Sequence, residues 1–355
     1  MLPLKLLSVT DQVVNHLTAE LARGQWMKTM PGKDRLAAEL GVSRMTVEVA
    51  LRRLERDGRL LGRGKRCKRL IIPPSEKAAR PMRIALLLYE RADIPRDYLI
   101  KLPFAFKNLG HTFDFAPKTM MELKMDPARI GRFVEQHQAD AWIVMAGPRE
   151  VLEWFSAQSR PAFALFGRRE GLPVASIGPN CRVAIVAAVR HLVNLGHSRI
   201  VLLGRRERRW PEPGPTERTF LDELKAHGIT VGRYNLPDWE ETKEGFQKLL
   251  DSLFRVTPPT ALFIDDYTLF IPTQQYLADR GLQVPQNISL VSTENQAGYA
   301  WCMKEVAHYR WDSHKVVPRI LRWAEAVSRG HRDVRQTLIP AEFVPGGTIG
   351  PAPPP

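Results

Sequence analysis

The chain of 355 residues is long enough for two domains, and its formal net charge of +14 points to an acidic partner such as nucleic acid. Three cysteines, Cys67, Cys181 and Cys302, stand at no metal-ligand spacing; this argues against a zinc module or disulfide framework and suits a reducing cytosol. No apolar run reaches about 18 residues, so no membrane span is expected, and the opening Met1-Leu2-Pro3-Leu4-Lys5-Leu6-Leu7 is too short for a secretory signal.

The excess charge is uneven: residues 1–72 hold 15 Lys and Arg against 7 Asp and Glu, a net of +8. Thr10 is read as the cap of a first helix with Val13, Val14, Leu17 and Leu21 on one side, ended by Gly24. Leu36, Ala37 and Leu40 give a short helix one apolar face, and Gly41 supplies the left-handed residue that stops it. Ser43 is a good N-cap, and Val47, Ala50, Leu51 and Leu54 form the stripe of the next helix. Two helices about a short turn make a helix-turn-helix whose second helix enters the DNA major groove. Trp26 and Met27 are expected to pack beneath these two helices. An ordinary helical hairpin is the alternative, but a hairpin alone does not demand Ser-Arg at a cap with basic residues facing out.

Leu60 and Leu61 precede Gly62-Arg63-Gly64-Lys65-Arg66-Cys67-Lys68-Arg69, and Leu70, Ile71 and Ile72 follow. The glycines permit a tight hairpin tip. Its five cations repel one another unless phosphates or a minor groove receive them, so a DNA-binding wing is expected rather than a solvated charge run.

The run Leu36-Ala37 through Val42-Ser43-Arg44, Thr46-Val47, Ala50-Leu51, Leu54 and Gly58 resembles, without gaps, the motif of the GntR family of winged-helix repressors. The resemblance implies DNA contacts from Arg35, Ser43, Arg44, Thr46, Glu48, Arg52, Gly64, Lys65 and Arg66. The chain departs from it at Asp34, which stands where many members carry a phosphate-contacting Arg; Arg35 is expected to take over that contact. Glu48 stands where many carry Arg, and is read either as an acceptor from cytosine N4 or as a group that orients Arg44 or Arg52.

Residues 73–81, Pro-rich and charged, read as a linker. Beyond them, apolar runs at Ile84–Leu88, Ala141–Met145, Ala162–Phe166, Ile200–Leu203, Ala261–Ile264 and Ile288–Val291 alternate with helical stretches near 127–137, 148–158, 182–195, 217–227, 242–254 and 268–280. That alternation predicts a parallel sheet covered on both faces. The fold class is therefore α/β: a small N-terminal winged helix-turn-helix (α+β) domain over 1–72, then a two-lobed α/β parallel-sheet domain over 82–345. The Pro- and Gly-rich end, 346–355, is expected to be disordered.

Two segments of the second domain look like LacI/GalR regulators: His191-Leu192 … Leu195-Gly196-His197 … Ile200 … Gly204, and Pro259-Thr260-Ala261-Leu262-Phe263 with Gly281-Leu282-Gln283-Val284-Pro285 … Ile288-Ser289. The resemblance runs from about 82 to 345, eroded in its first third. It implies the periplasmic-binding-protein type I fold with a small ligand, often a sugar, between the lobes. Loops after the strands place Tyr89, Glu90, Gly147, Arg168, Asp265, Asp266, Glu294 and Asn295 around the cleft. Tyr309 and Trp311 are candidates to stack on a ligand or to pack in the core. The family's ligand-clamping Arg, four residues before Phe220, is Thr216 here.

These readings imply a cytoplasmic transcription regulator, a repressor, that binds operator DNA as a homodimer under the control of a sugar-type effector. No P-loop, G-x-S-x-G or H-E-x-x-H occurs, so no enzyme, metal or cofactor is expected. The alternatives are a DNA-binding regulator whose effector domain has lost its ligand, or a cytosolic sugar-binding protein or enzyme.

Overall fold

The computed structural model describes residues 8–22, 25–26, 28–57, 59–62, 68–72, 79–294 and 296–354. Two compact units divide the chain, Met1–Pro81 with Glu325–His331, and Met82–Ala324 with Arg332–Pro355.

The first unit, the head, is built on α1 (Val9–Ala22), α2 (Lys33–Leu40) and α3 (Arg44–Arg56), then β1 (Leu60–Leu61) and β2 (Leu70–Ile71). The first helix starts one residue before Thr10. Ser8, not Thr10, caps it, its hydroxyl accepting from the Asp11 N–H at 3.1 Å. Helix α2 stops at Gly41, which takes φ 64° and returns its N–H to the Ala37 carbonyl. Ser43 is extended and accepts from the Thr46 N–H, opening α3. The predicted stripe of α3 is buried: Val47, Ala50, Leu51 and Leu54 join Val13, Leu17, Leu36 and Leu60 in one cluster, with Trp26 packed against it. β1 and β2 pair antiparallel, and Thr29 bridges Leu70 from the other side, giving the root of a wing. Gly24, Met27, Gly58, Gly64, Lys65, Arg66 and Cys67 lie outside the described residues.

The second unit, the body, carries β3 (Arg83–Leu87), α4 (Asp97–Asn108), β4 (Thr112–Phe115), α5 (Pro127–Gln136), β5 (Ala141–Met145), α6 (Arg149–Ser156), β6 (Ala162–Leu165) and β7 (Ala175–Asn180). There follow α7 (Arg182–Asn194), β8 (Ile200–Leu203), α8 (Arg206–Arg209), α9 (Pro215–Ala226), α10 (Lys243–Val256), β9 (Ala261–Ile264), α11 (Tyr267–Asp279), β10 (Ser289–Ser292), β11 (Ala307–Trp311), α12 (Val316–Ser328, of which the residues up to Ala324 belong to this unit) and β12 (Gln336–Val344). The strands run in the hydrogen-bonded order β4-β3-β5-β6-β7-β12-β11-β10-β9-β8. All neighbours are parallel except β11 and β12. β12 serves both lobes: Gln336–Pro340 pair with β7, and Ala341–Val344 pair with β11.

Alternate residues of each strand feed opposite faces. In the first lobe Ala85, Leu87, Trp142 and Val144 meet Ile130 and Val134 of α5 and Val151, Leu152 and Phe155 of α6. Toward the opposite face, Phe106 of α4 stacks on Phe113 at 5.2 Å and Trp323 of α12 meets Phe163 at 5.3 Å. In the second lobe Ile200, Leu202, Ala261 and Phe263 face α7 and α9, while Val201, Leu203, Leu262 and Ile264 face α10 and α11. The chain end expected to be disordered packs here instead. Thr348 is buried and donates to the Leu290 carbonyl at 2.8 Å. The Gly350 carbonyl lies 3.0 Å from His197 Nε2, and the Ala352 N–H reaches the Leu195 carbonyl at 2.8 Å. Proline removes donors, but it does not stop the remaining backbone groups from finding buried partners.

Candidate functional site

Two faces of the protein carry chemistry. On the head, the side of α3 away from the buried stripe presents Arg44, Met45, Val49 and Arg52. Arg44 is 75% exposed, with its Nε 3.1 Å from Asp34 Oδ1. The acid that replaces the expected phosphate-contacting Arg thus steadies Arg44. Arg35 is exposed and pairs with Glu39 at 2.7 Å. Ser43 and Thr46 share a hydroxyl–hydroxyl bond of 2.8 Å at the helix start, and Ser43 is engaged as the cap.

Glu48 differs from its expected place at the base edges. Its side chain is only 18% exposed and accepts from Arg69 at 2.9 Å and Arg52 at 3.2 Å. Burial works against its charge, and the bonds from Arg69 and Arg52 hold its carboxyl below the usual range. Glu48 orients Arg52, one of the two roles its spacing allowed, but not Arg44. Arg69 also binds Glu55 at 2.7 Å, so this wing cation ties the hairpin root to α3 rather than facing DNA. The tip, with Gly64, Lys65 and Arg66, is outside the described residues.

In the body, the carboxyl ends of the strands surround a first chamber of about 350 Å³, the crevice where open parallel sheets bind ligands. Tyr89, Asp265, Asp266, Glu294 and Trp311 all line it; Asn295 lies outside the described residues. Arg96, Tyr98, Phe166, Arg205 and Arg208 line it too; Arg205 and Arg208 belong to the cationic run 205–209, which reads in the sequence as either an anion site or an exposed loop, and no motif singles out the other three. Tyr98, Phe166 and Trp311 form a ring cluster with centroids 5.7–6.5 Å apart. Tyr309 is a core residue, fully buried. Gly147 packs against Leu152 and Val144 instead of lining the chamber. Ala146 (φ 52°) and Phe166 (φ 65°) hold left-handed backbone unusual for residues with side chains, and both border the chamber.

The acids expected to grip a ligand are already held by arginines. Asp265 pairs with Arg208 at 3.0 Å and accepts from the Thr293 hydroxyl at 3.1 Å. Asp266 caps α11 and accepts from Arg205 Nε at 2.9 Å. Glu294 accepts both terminal nitrogens of Arg96, at 3.1 and 3.2 Å, while Arg96 Nε binds Asp93 at 3.0 Å. Arg205 also reaches Glu90 at 2.8 Å and lies over the Tyr89 ring. Tyr89 donates to Glu241 at 2.7 Å. Arg96, Glu90 and Tyr89 belong to the first lobe, whereas Glu294, Arg205 and Glu241 belong to the second, so these contacts lace the lobes together. Burial pushes the Glu294 carboxyl up, and the nearby Asp266 adds to this against the pull of Arg96. Burial likewise raises Glu90, against Arg205. Burial opposes the charge on Asp266 as well, but Arg205 and the Thr268 N–H keep its pKa lowered.

Arg168 sits not here but in a second chamber of about 670 Å³ beside the first. It spans the lobes by donating to the carbonyls of Arg208 and Glu212, at 3.3 and 2.9 Å. Thr216, at the position where an Arg was expected, lines this chamber, and Arg208 borders both. Arg208 thus puts a guanidinium near the place the sequence left empty.

Cys181 lies where the chain first passes between lobes, buried, and burial pushes its thiol up to about 12. Cys302 is exposed. Iodoacetamide at pH 8 is expected to label Cys302 at least about tenfold faster than Cys181, because only the thiolate reacts; peptide mass mapping of the native chain reads this out. Equal rates would contradict the burial of Cys181. Among the described residues no cluster of His, Cys, Asp and Glu could hold a metal ion, and no helix is long and apolar enough to cross a membrane.

Residues 9–66 match the family model of bacterial regulatory proteins of the gntR family. Residues 189–349 match that of the periplasmic binding protein-like domain. No curated protein matches the chain. Solved structures similar to the body include a LacI family transcriptional regulator from Enterococcus faecium with bound ribose, 14% identical over 76% of this chain and 99% of that one (TM-score 0.58). A LacI transcriptional regulator from Rhodococcus is 18% identical over 77% and 100% (TM-score 0.60). The lac repressor dimer bound to operator and the anti-inducer ONPF is 17% identical over 76% and 95% (TM-score 0.59). At these identities the likeness is one of fold.

Proposed function

Because residues 9–66 form a gntR-family DNA-binding domain and the body is a periplasmic binding protein-like domain of LacI type, we propose a transcription regulator, a repressor, whose grip on operator DNA is set by a small sugar-type ligand between the lobes. The observation that carries this reading is α3: one side buried in the head, the other presenting Arg44 and Arg52 outward from a capped start. Such a helix fits the major groove. Arg44 reads base edges, Arg35 and Arg52 contact phosphates, and the Lys65–Arg66 tip supplies affinity. A ligand that prefers one arrangement of the lobes shifts the regulator between its DNA-binding states. The site of action is the cytoplasm.

The test is selection from random duplex oligonucleotides, followed by fluorescence anisotropy across salt concentrations. A recovered inverted repeat, bound with a steep salt dependence, supports the reading. No attraction to any duplex at modest ionic strength sinks it.

Two copies would present two heads to such a repeat. Ile100 and Phe104, a turn apart on α4, are 60% and 70% exposed, an apolar stripe suited to a homodimer contact. Phe104→Glu is expected to halve the mass measured by light scattering at micromolar concentration. An unchanged mass would place the contact elsewhere.

A second reading keeps the DNA-binding role but gives the body no ligand. It is favoured by the cross-lobe pairs Arg96–Glu294 and Arg205–Glu90, which bridge the cleft by themselves. A melting temperature unmoved by any compound supports that version.

A further inference from the structure

We infer that the second chamber, bordered by Arg149, Arg168, Arg169, Arg182, Arg208 and Arg218, is a binding site for a small polyanion, a compound carrying at least two negative charges on phosphate or carboxylate groups. This deepens the ligand-sensing reading above and rests on it for its biological role.

The chamber, about 670 Å³, falls within the size range of small-molecule sites. Its lining sets those six arginines against three acids, Glu170, Glu212 and Glu217. The acids are engaged: Glu170 by Arg182 at 3.0 Å, Glu212 by Arg218 at 3.5 Å, and Glu217 by Arg208 at 3.4 Å. Glu217 is buried, and burial raises its pKa against the pull of Arg208.

Arg169 is left over. Among the described residues no carboxylate pairs with it. Its Nη1 donates to the Gly167 carbonyl at 3.2 Å, while its Nε is buried with no hydrogen-bond partner. The guanidinium lies close against Gly178 of β7, where an added Cβ would come within 2.7 Å of Nη2. Gln336 of β12 fixes the loop beneath by donating to the carbonyls of Arg169 and Leu172, at 2.8 and 2.9 Å. Burial and then the charge of Arg208 bring the Arg169 pKa down to about 10. Such a group gains most from an incoming oxyanion, since charge-assisted bonds to a guanidinium are the strong ones. In both chambers the acids are paired with arginines, leaving a neutral polyol few open carboxylates; what sets this one apart is Arg169.

The test is thermal melting of the full chain at constant ionic strength with citrate, glucose 6-phosphate, inorganic phosphate and, as the neutral control, glucose. At a hundredfold excess over Kd at least one of the three anions is expected to raise Tm by about 5 °C or more, and glucose to leave it unmoved. Citrate alone identifies carboxylates, and the phosphate compounds alone identify phosphate; either supports the site. Arg169→Gln and the exposed Arg182→Gln are each expected to weaken the anion at least about tenfold. The second keeps the test decisive if the first fails to fold. Wild-type affinity in Arg182→Gln would put the anion elsewhere, such as on the basic head, and overturn the proposal. So would a shift with glucose and none with any anion. Duplex binding measured on the same ligand-free samples separates the two readings: its loss removes the regulator role and leaves the anion result standing.

Discussion

Arg205→Ala is expected to cost the body about 3–5 kcal/mol, the usual penalty for breaking a buried ion pair on one side, and to lower Tm by about 10 °C. Arg205 is 7% exposed and stands between Glu90 and Asp266, binding each and the Thr268 hydroxyl. Without it two acids from opposite lobes share a buried space and lose the guanidinium that separates them. The pH dependence has a defined sign. Glu90 already holds its proton more tightly than an exposed Glu, through burial, and Arg205 is the main group opposing this. In the variant its folded pKa rises further above the unfolded value, so folding is favoured at low pH and loses ground as pH climbs through the folded pKa. The deficit is therefore larger at pH 8 than at pH 5. Differential scanning of both proteins at the two pH values measures it. A loss under 2 °C at pH 8, or a deficit that grows on acidification, would show that the pairs seen here carry no weight. Arg205→Lys keeps a charge but loses the fork that reaches Asp266 through Nε and Glu90 through Nη2, and falls between the two.

Arg44→Ala is expected to weaken the selected duplex by roughly 10- to 100-fold, the range for losing one bidentate base contact. A scrambled duplex should weaken far less. The side chain stands at the start of α3, three-quarters exposed and steadied by Asp34, so its loss removes no buried packing and leaves the fold intact. Anisotropy titrations on both duplexes at one ionic strength decide the matter. Equal losses on the two would make Arg44 a phosphate contact rather than a reader of sequence. Asp34→Ala is the companion variant. It frees the Arg44 rotamer and should cost several-fold less than removing Arg44 itself.

The head was legible because its signals are local. Gly41, Ser43 and the stripe Val47, Ala50, Leu51 and Leu54 act within one or two helical turns, and the fold uses each as read. The strand runs of the body were legible for the same reason. Helices α4 and α12 and strands β4, β7, β11 and β12 were not: Pro103 interrupts the pattern of α4, β4 is a short edge strand with only partly buried residues, and β11 and β12 mix buried with exposed positions instead of forming an apolar run. The strand-end rule placed Tyr89, Asp265, Asp266 and Glu294 around the cleft. It could not show that arginines already hold three of those acids. Arg96 and Glu294 are 198 residues apart, and Arg205 and Glu90 are 115 apart; no spacing rule reaches so far. Arg169 gave no signal either, since its isolation arises from which acids fail to reach it.

The strand β12 has a consequence for how the protein is made. Both lobes wait for the same nine residues, Gln336–Val344, the last strand in chain order, to fill a place in their sheets. During synthesis the other described strands of the body all leave the ribosome before either lobe can close its hydrogen-bond ladder. Ribosome-bound fragments stopped before residue 336 should accordingly remain open to protease throughout the body, whereas the hydrophobic cluster of the head, made of residues up to Ile71, can already form and resist.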